Sequence, residues 1–420
     1  MSGWSRDGAR ARASVESLQV GTQRVYRLTQ DGEALGTLAI DSTVAGRARG
    51  GLRMLPDVSE EEICSAARAM TLKYGFLGLP QGGAKAGLRA DPEGQPETKR
   101  ERLLQFARAL EPLLRERRFV PDADMGTRAS DIRWMLETIG IPVSRREWRS
   151  NRSGHYTAVS CVAAARAALA RCGAALAGCR AAIEGFGSVG SAAADLLGRQ
   201  GAVIVAVSTS QGALYNSRGL DLERLLQLAR EVGSRCVERY PAAERLDRAE
   251  LLELPVDLLC PCARYHSIHA GNAARIAARV VCAGANDPVR PEAERMLLER
   301  GMVYPPDFIS NCGGVLGGTL EFAGVRFDRI TALIQRHVEA AVDRLLVRAH
   351  ELGVPPRAIA ERLALARHRD IALSCERPSF RARLMGLGME CYRRGLLPQA
   401  LVGSLAPAYI ERRLHGWNDT

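Results

Sequence analysis

Three sets of residues in this chain have types and spacings that could do chemistry. The first is a pair of lysines, Lys73 and Lys85. With Lys99 they are the only lysines in the sequence, against 55 arginines. Wherever the chain needs positive charge alone, it has used arginine. An ammonium can lose its proton near neutral pH when buried or set beside another cation, and it can sit as a point charge on a carboxylate; a guanidinium cannot lose its proton in this way. Lys85 also lies in Gly82-Gly83-Ala84-Lys85-Ala86-Gly87, where glycines let backbone and ligand approach one amine closely. The second set is Asp122 and Asp124 in Phe119-Val120-Pro121-Asp122-Ala123-Asp124-Met125-Gly126-Thr127. The period of two in an extended segment puts both carboxylates on one side. The third is Gly185-Phe186-Gly187-Ser188-Val189-Gly190. Glycines at this spacing allow a tight turn and let a pyrophosphate reach a helix N-terminus.

The elements that must position these residues follow from pattern. Residues 22 to 40 alternate about the turn Thr29-Gln30-Asp31-Gly32, which predicts an opening hairpin. Ser59 followed by Glu62 is a capping box, and Ile63, Ala66, Ala67, Met70 and Tyr74 recur at helical spacing. Lys73 therefore falls near the end of a helix, and Lys85 in a glycine loop after it. A second helix is expected over about Thr98 to Arg117, then a short strand from Phe119 that ends in the carboxylate-rich loop. A helix of small residues runs from Thr157 to about Cys172. The strand Arg180 to Glu184, the glycine motif, a helix to about Gln200 and the strand Ala202 to Val207 follow, which is the strand-turn-helix-strand context of a dinucleotide site. The second strand closes on Ser208-Thr209-Ser210, where a carboxylate would favour NAD; its absence leaves NADP, or both cofactors, open.

Length and composition bound the function. The chain of 420 residues can bury two domain cores, and 46% apolar with 25% charged residues are globular values. No run approaches the roughly 18 apolar residues that span a bilayer, and a cytoplasmic protein without membrane partner is expected. The 11 cysteines lack zinc-site spacing and read as reduced thiols without metal; His266 and His269 lack carboxylate support and read as structural. The net charge of +11 is dispersed, with no basic block or aromatic interleaving, which argues against nucleic acid.

Gly50-Gly51-Leu52-Arg53-Met54, Met70-Thr71-Leu72-Lys73 and Leu79-Pro80-Gln81-Gly82-Gly83-Ala84-Lys85 resemble the glutamate/leucine/phenylalanine/valine dehydrogenases. The likeness continues through Pro121 to Thr127, the glycine motif, Gly284-Ala285-Asn286-Asp287-Pro288 and Pro306-Asp307 to Asn311-Cys312-Gly313-Gly314-Val315, and covers about residues 35 to 325. Ala283 departs from it, lacking the family's carboxylate. The resemblance implies reversible oxidative deamination of an L-amino acid with NAD or NADP. It implies that Lys73 anchors the substrate α-carboxylate, that Lys85 polarises the carbonyl and activates water, and that Asp124 carries protons. Burial near Lys73 is the expected cause of a depressed Lys85 pKa. Gly50 and Gly51 would offer close backbone approach, and Thr157, Thr209, Asn286 and Asn311 join the glycine motif on the cofactor. The family's glutamate enzymes carry a lysine where this chain has Arg49, and a serine where it has Gly318, so the cation is kept and the hydroxyl lost. Glutamate is the expected substrate, with a branched-chain or other apolar L-amino acid as the alternative. A catalytically silent relative that binds a nucleotide or amino acid is the alternative of another class. The role of Asp122, at a position usually small or neutral, is open.

The expected fold class is α/β, with two domains around a cleft. Residues 1–20 are read as a disordered N-terminus, 21–155 as the substrate-binding and catalytic domain and 156–325 as a Rossmann-like NAD(P)-binding domain. Residues 326–420 are read as C-terminal helices packing back on the first domain, with an unplaced tail from about 370. A homo-oligomer is expected, with a hexamer as the form common in the family.

Overall fold

The structure is a computed structural model that describes residues 13–144, 152–241 and 243–415. It divides into two compact units. One takes in the described residues up to 71 and those from 80 to 144; the other takes in Leu72–Leu79 and the described residues from 152 onward. Both are α/β, as expected, and each is built on a six-stranded sheet.

The first unit contains β1 (Ser14–Val20), β2 (Gln23–Gln30), β3 (Glu33–Ile40), β4 (Ala48–Met54), α1 (Glu60–Leu77) and β5 (Gly82–Leu88). It continues through α2 (Pro96–Ala109), α3 (Glu111–Arg115), β6 (Phe119–Ala123) and α4 (Ala129–Thr138). The sheet order is β1-β2-β3-β5-β4-β6. β1, β2, β3 and β5 pair antiparallel in turn, while β4 runs parallel to both β5 and β6. Pro121 fits because β6 is an edge strand.

Alternation along these strands sorts their residues onto two faces. Ala48, Leu52 and Met54 of β4, Ala84, Ala86 and Leu88 of β5 and Phe119 of β6 join Leu103, Phe106 and Ile132 of α2 and α4 in one core. The opposite face carries Arg49, Gly51 and Arg53, Gly83, Lys85 and Gly87, and Asp122, and it is covered by α1. Glycine is required there: a Cβ on Gly83 would lie 2.3 Å from the Thr71 backbone nitrogen, and one on Gly87 2.7 Å from Ile63.

The second unit begins with α5 (Ser153–Arg171), β7 (Arg180–Glu184), α6 (Ser188–Arg199), β8 (Val203–Thr209), β9 (Gly212–Tyr215), α7 (Leu222–Val232), α8 (Cys236–Arg239), β10 (Glu244–Leu246) and α9 (Arg248–Leu252). Next come β11 (Leu258–Pro261), α10 (Ala270–Ala273), β12 (Val280–Val281), α11 (Pro291–Glu299), α12 (Asp307–Ser310) and α13 (Gly313–Phe322). Four helices close the chain: α14 (Phe327–Leu352), α15 (Pro356–Glu376), α16 (Phe380–Arg393) and α17 (Gln399–His415). The order β10-β9-β8-β7-β11-β12 is parallel from β8 to β12, with an antiparallel edge. The first strand of the dinucleotide motif, β7, thus lies between β8 and β11, where ligands of doubly wound sheets bind beyond the strand ends.

Several expectations need correction. Lys85 is not in a loop but in β5, the strand between β3 and β4, because the missing side chains of its glycines let α1 lie directly on it. The expected helix from Thr98 to Arg117 is two helices, divided at Leu110 ahead of Pro112. Within the segment read as disordered, Ser14–Val20 form β1, held by its full register with β2; residues 1–12 lie outside the described residues. The domain boundary also shifts. The C-terminal helices cluster in the second unit, where α14 packs along α5 and α15 covers Gly75 so closely that a Cβ there would meet the Ala364 carbonyl at 2.1 Å. They pack on the Leu72–Leu79 segment of the expected first domain, which belongs to their own unit.

Among the described residues no helix is long and apolar enough to cross a membrane, and all eleven cysteines are free thiols. Phe106 fills the first core with none of its surface exposed. Phe106→Ala is expected to cost about 3–5 kcal/mol, read as a lowered urea midpoint for the first unit; an unchanged midpoint would contradict this account of the core.

Candidate active site

The charged face of the first sheet gathers four ionisable side chains. Lys85 Nζ pairs with Asp124 Oδ2. Arg53, two residues beyond Gly51, lies with Nη2 3.6 Å from Asp124 Oδ1 and donates from Nη1 to Glu62 of α1. Lys85, Arg53 and Glu62 are each at most 5% exposed as side chains, and Asp124 13%. Two cations and two anions balance, the condition under which charges can be buried together. Asp124 is fixed further by the Met125 backbone N–H, which donates to Oδ1 at 2.7 Å, and by its own N–H, which donates to Thr127 Oγ1 at 3.0 Å. Gly51 makes room for the carboxyl: a Cβ there would stand 2.8 Å from the Asp124 Cβ and 2.9 Å from Oδ2. Gly50 serves packing instead, since its Cβ would strike the Ala84 carbonyl of β5 at 1.6 Å.

These surroundings set the proton affinities. Burial pushes the Lys85 pKa down; Asp124 opposes the shift, Arg53 reinforces it, and the net displacement is below the ordinary value of 10.5. A cation that acts on Lys85 within this unit is Arg53. Burial alone would raise the Asp124 pKa, but Lys85 and Arg53 overcome it and hold the carboxyl well below the usual carboxylate range. The pair thus combines a carboxylate that stays ionised with an amine eased toward its neutral form. Farther along the same face Arg49 grips Asp122 with both ends of its fork, Nε to Oδ2 at 2.5 Å and Nη2 to Oδ1 at 2.7 Å.

In the second unit Lys73 is buried in the last turns of α1 and donates from Nζ to Asn286 Oδ1 at 2.5 Å. Asn311 donates to the same oxygen at 3.2 Å and to the Ala285 carbonyl at 2.7 Å. The loop carrying Asn286 is tied down by Asp307, which accepts from the Asp287 N–H at 2.9 Å and pairs with Arg357 of α15 at 2.8 Å. Arg357 also holds Glu294 at 2.6 Å.

The glycine motif bridges the end of β7 and the start of α6. Gly185 turns the chain at φ +88, where a side chain would be strained. Gly190 lets the helix settle on the turn, since its Cβ would lie 1.8 Å from the Gly185 carbonyl, while Gly187 faces open space. Ser188 and Val189 open α6, placing N–H groups where an anion is favoured. A tight turn, a close helix contact and a bare middle glycine fit a dinucleotide. Ser208 Oγ accepts the Gly185 N–H at 3.0 Å, so the end of β8 fixes the turn. Thr209, expected on the cofactor, spends its hydroxyl on the Ser234 carbonyl at 2.7 Å and the Gln211 N–H at 3.1 Å. Thr157 donates to the Ser153 carbonyl at 2.9 Å, within its own helix and against Gly314. Gly318 on α13 faces open space. His269 caps α10 by accepting from the Gly271 N–H, and among the described residues no group of His, Cys, Asp or Glu could hold a metal ion.

The profile of the glutamate/leucine/phenylalanine/valine dehydrogenases matches residues 150–373, and that of their dimerisation domain residues 28–140. The chain belongs to this dehydrogenase family. It is similar to a glutamate dehydrogenase of Thermotoga maritima, at 33% identity over 77% of this chain and 82% of that one. It is 32% identical to an NADP-specific glutamate dehydrogenase of Halobacterium salinarum over 74% and 78% of the two chains. A crystal structure of a hetero-hexameric glutamate dehydrogenase from Thermus thermophilus, in its Leu-bound form, superposes with a TM-score of 0.70 at 27% identity, covering 86% of this chain and 88% of that one.

Within this dehydrogenase, sequence reasoning missed four residues around the site. Arg53, missed along with Glu62, carried a signal, because it lies four residues beyond Arg49 and so on the same face of β4. Arg357 carried none, since it lies 50 residues beyond Asp307. The fourth, Glu184, ends β7 just before Gly185. Burial raises its pKa to about 7 against the ordinary 4.5, although Ser267 donates to its Oε2 at 3.0 Å. The folded state therefore keeps this proton up to about pH 7 while the unfolded chain releases it near 4.5. The stability it contributes is fully present below pH 4.5 and is lost as pH rises through that window, on the order of 3 kcal/mol in all. Glu184→Gln is expected to flatten this slope, measured as urea midpoints at pH 5 and pH 8; equal slopes in both proteins would contradict it.

Proposed function

We propose that this chain is an NAD(P)-dependent amino acid dehydrogenase that converts L-glutamate reversibly to 2-oxoglutarate and ammonia. The observation that carries the reading is the buried pair of Lys85 and Asp124 with Arg53 behind it. Oxidative deamination needs a base that can take a proton from water and an acid–base group for the amino nitrogen, and a lysine eased toward neutrality beside a fixed carboxylate supplies both.

In this reading Lys73 holds the substrate α-carboxylate as a point charge, exchanging its bond with Asn286 for the ligand. Such anchoring fixes the Cα–H bond in one direction, and orientation of this kind removes much of the barrier. Lys85 draws a proton from the water that adds to the imino carbon, and then polarises the oxygen of the oxo acid. Asp124 moves protons to and from the departing nitrogen, while Gly51 keeps the space beside its carboxyl free of side chain. Arg49 meets the far carboxylate of glutamate. Gly185, Gly187, Ser188, Val189 and Gly190 hold the dinucleotide phosphates, with Asn286, Asn311, Thr157 and Thr209 toward the rest of the cofactor. When bound, the dinucleotide supplies the acceptor for the hydride from Cα. Ser208, Thr209 and Ser210 at the end of β8 put no carboxylate against a 2′-phosphate, so NADP is accepted as well as NAD.

One observation favours a second reading, an uncharged L-amino acid as substrate. Arg49 is already clasped by Asp122, and Gly318 offers no hydroxyl to a side-chain carboxylate. The proposal also includes a homo-oligomer, and a hexamer by likeness to the Thermus relative.

Lys85→Ala is expected to lower kcat for glutamate about a hundred- to ten-thousandfold while leaving the fold intact, measured as NADH or NADPH formation with circular dichroism as control. Activity within tenfold of the unmodified protein would remove Lys85 from the chemistry.

A further inference from the structure

The charged face of the first sheet has an inner and an outer ion pair. At the inner end Lys85 and Arg53 converge on Asp124. Arg49 of β4, in register with Gly83 of β5, lies one alternation back from Lys85 and meets Asp122 of β6. Two residues of strand span about 7 Å, close to the reach of a five-carbon amino acid side chain plus one hydrogen bond. A substrate reacting at the inner pair therefore brings the end of such a side chain to the outer one.

The two pairs differ in environment. The inner side chains are nearly buried, whereas Arg49 and Asp122 are 35% and 37% exposed, so a solute can reach them. The clasp between them uses Nε and Nη2, the edge of the guanidinium that two carboxylate oxygens fit side by side. A second carboxylate arriving at that edge finds it taken, and finds the Asp122 charge against it. An uncharged side chain encounters neither obstacle.

We propose that Asp122 is a specificity-determining residue: it occupies Arg49 internally, so that a five-carbon dicarboxylate must displace it to be held by both oxygens, and discrimination moves toward uncharged side chains of the same length. The inference deepens the amino acid dehydrogenase reading and rests on it for the placement of the substrate. It also explains why an aspartate can stand beside the arginine of this face without folding cost, since the pair is satisfied before any ligand arrives.

The test uses the full-length protein and two probes of equal length, glutarate and pentanoate, with dissociation constants measured by titration calorimetry. Asp122→Asn keeps the shape and removes the charge. It is expected to tighten glutarate about five- to tenfold, as for release of a partly exposed ion pair, and to change pentanoate less than twofold. The double variant Arg49→Met/Asp122→Asn is expected to lose the gain. Glutarate affinity that stays unchanged or weakens in Asp122→Asn, or a gain that persists without Arg49, overturns the proposal, as does failure of glutarate to bind any variant. Asp122→Ala replaces Asp122→Asn if the latter does not fold. In parallel, the ratio of kcat/KM for L-glutamate to that for L-norvaline should rise by a similar factor. If neither amino acid is turned over but the glutarate pattern holds, the dehydrogenase reading fails and the role of Asp122 stands. If both are turned over and neither ratio moves, Asp122 is not the determinant and the dehydrogenase reading is untouched.

Discussion

A lysine and an aspartate buried against each other constrain the first unit more than any other contact. Each charge withdrawn from water costs several kcal/mol unless it is paired and hydrogen-bonded. Lys85 with Asp124 alone would be a balanced pair, but Arg53 sits on the same carboxylate and brings a second cation. Glu62 then restores neutrality from α1. The parallel run of β5, β4 and β6 serves this need, because it brings together Lys85 of β5, Arg53 of β4 and Asp124 just beyond the end of β6. The glycines serve it as well, since α1 must lie close enough on β5 for Glu62 to reach Arg53. The arrangement is costly for stability and useful for chemistry, because burial, reinforced by Arg53, lowers the proton affinity of the amine while the pair stays intact.

The second unit uses backbone at its glycine turn and charge behind the Asn286 loop. Its glycine turn is fixed by Ser208 from the neighbouring strand, and the helix that follows begins directly on the turn. The Lys73 ammonium donates to Asn286, whose oxygen also accepts from Asn311, and the loop that carries Asn286 is held from behind by Asp307 and Arg357. Arg49, by contrast, is clasped by the carboxylate of Asp122.

How much of this was legible in the sequence depends on whether the deciding contact is local. The hairpin about Thr29 to Gly32, the Ser59 cap, which accepts the Glu62 N–H at 3.1 Å, and the strand-turn-helix at Gly185 are set within a few residues and were readable. Asp124 and Lys85 could be singled out by type and spacing. Their mutual contact could not, because β5 and β6 are far apart in the sequence and come together only once both pair with β4. The strand character of Gly82–Leu88 was hidden by glycines that suggest a loop in isolation and become an asset once a helix presses on them. β1 was hidden for the opposite reason: its residues are almost all exposed, so no apolar pattern marks a strand held through backbone pairing with β2. Arg357 shows the limit of local reading, as nothing near it in sequence announces the two carboxylates it joins.

Because the chain has only three lysines, its central claim can be read directly. Labelling lysine with 13C at the ε position gives three resonances, assignable by replacing each lysine in turn, and their chemical shifts can be followed from pH 6 to 12. The account predicts that the Lys85 resonance titrates clearly below the ordinary lysine value of 10.5. A Lys85 that titrates at or above that value would mean that Asp124 outweighs burial and Arg53 together, and would contradict the account of this lysine as the base.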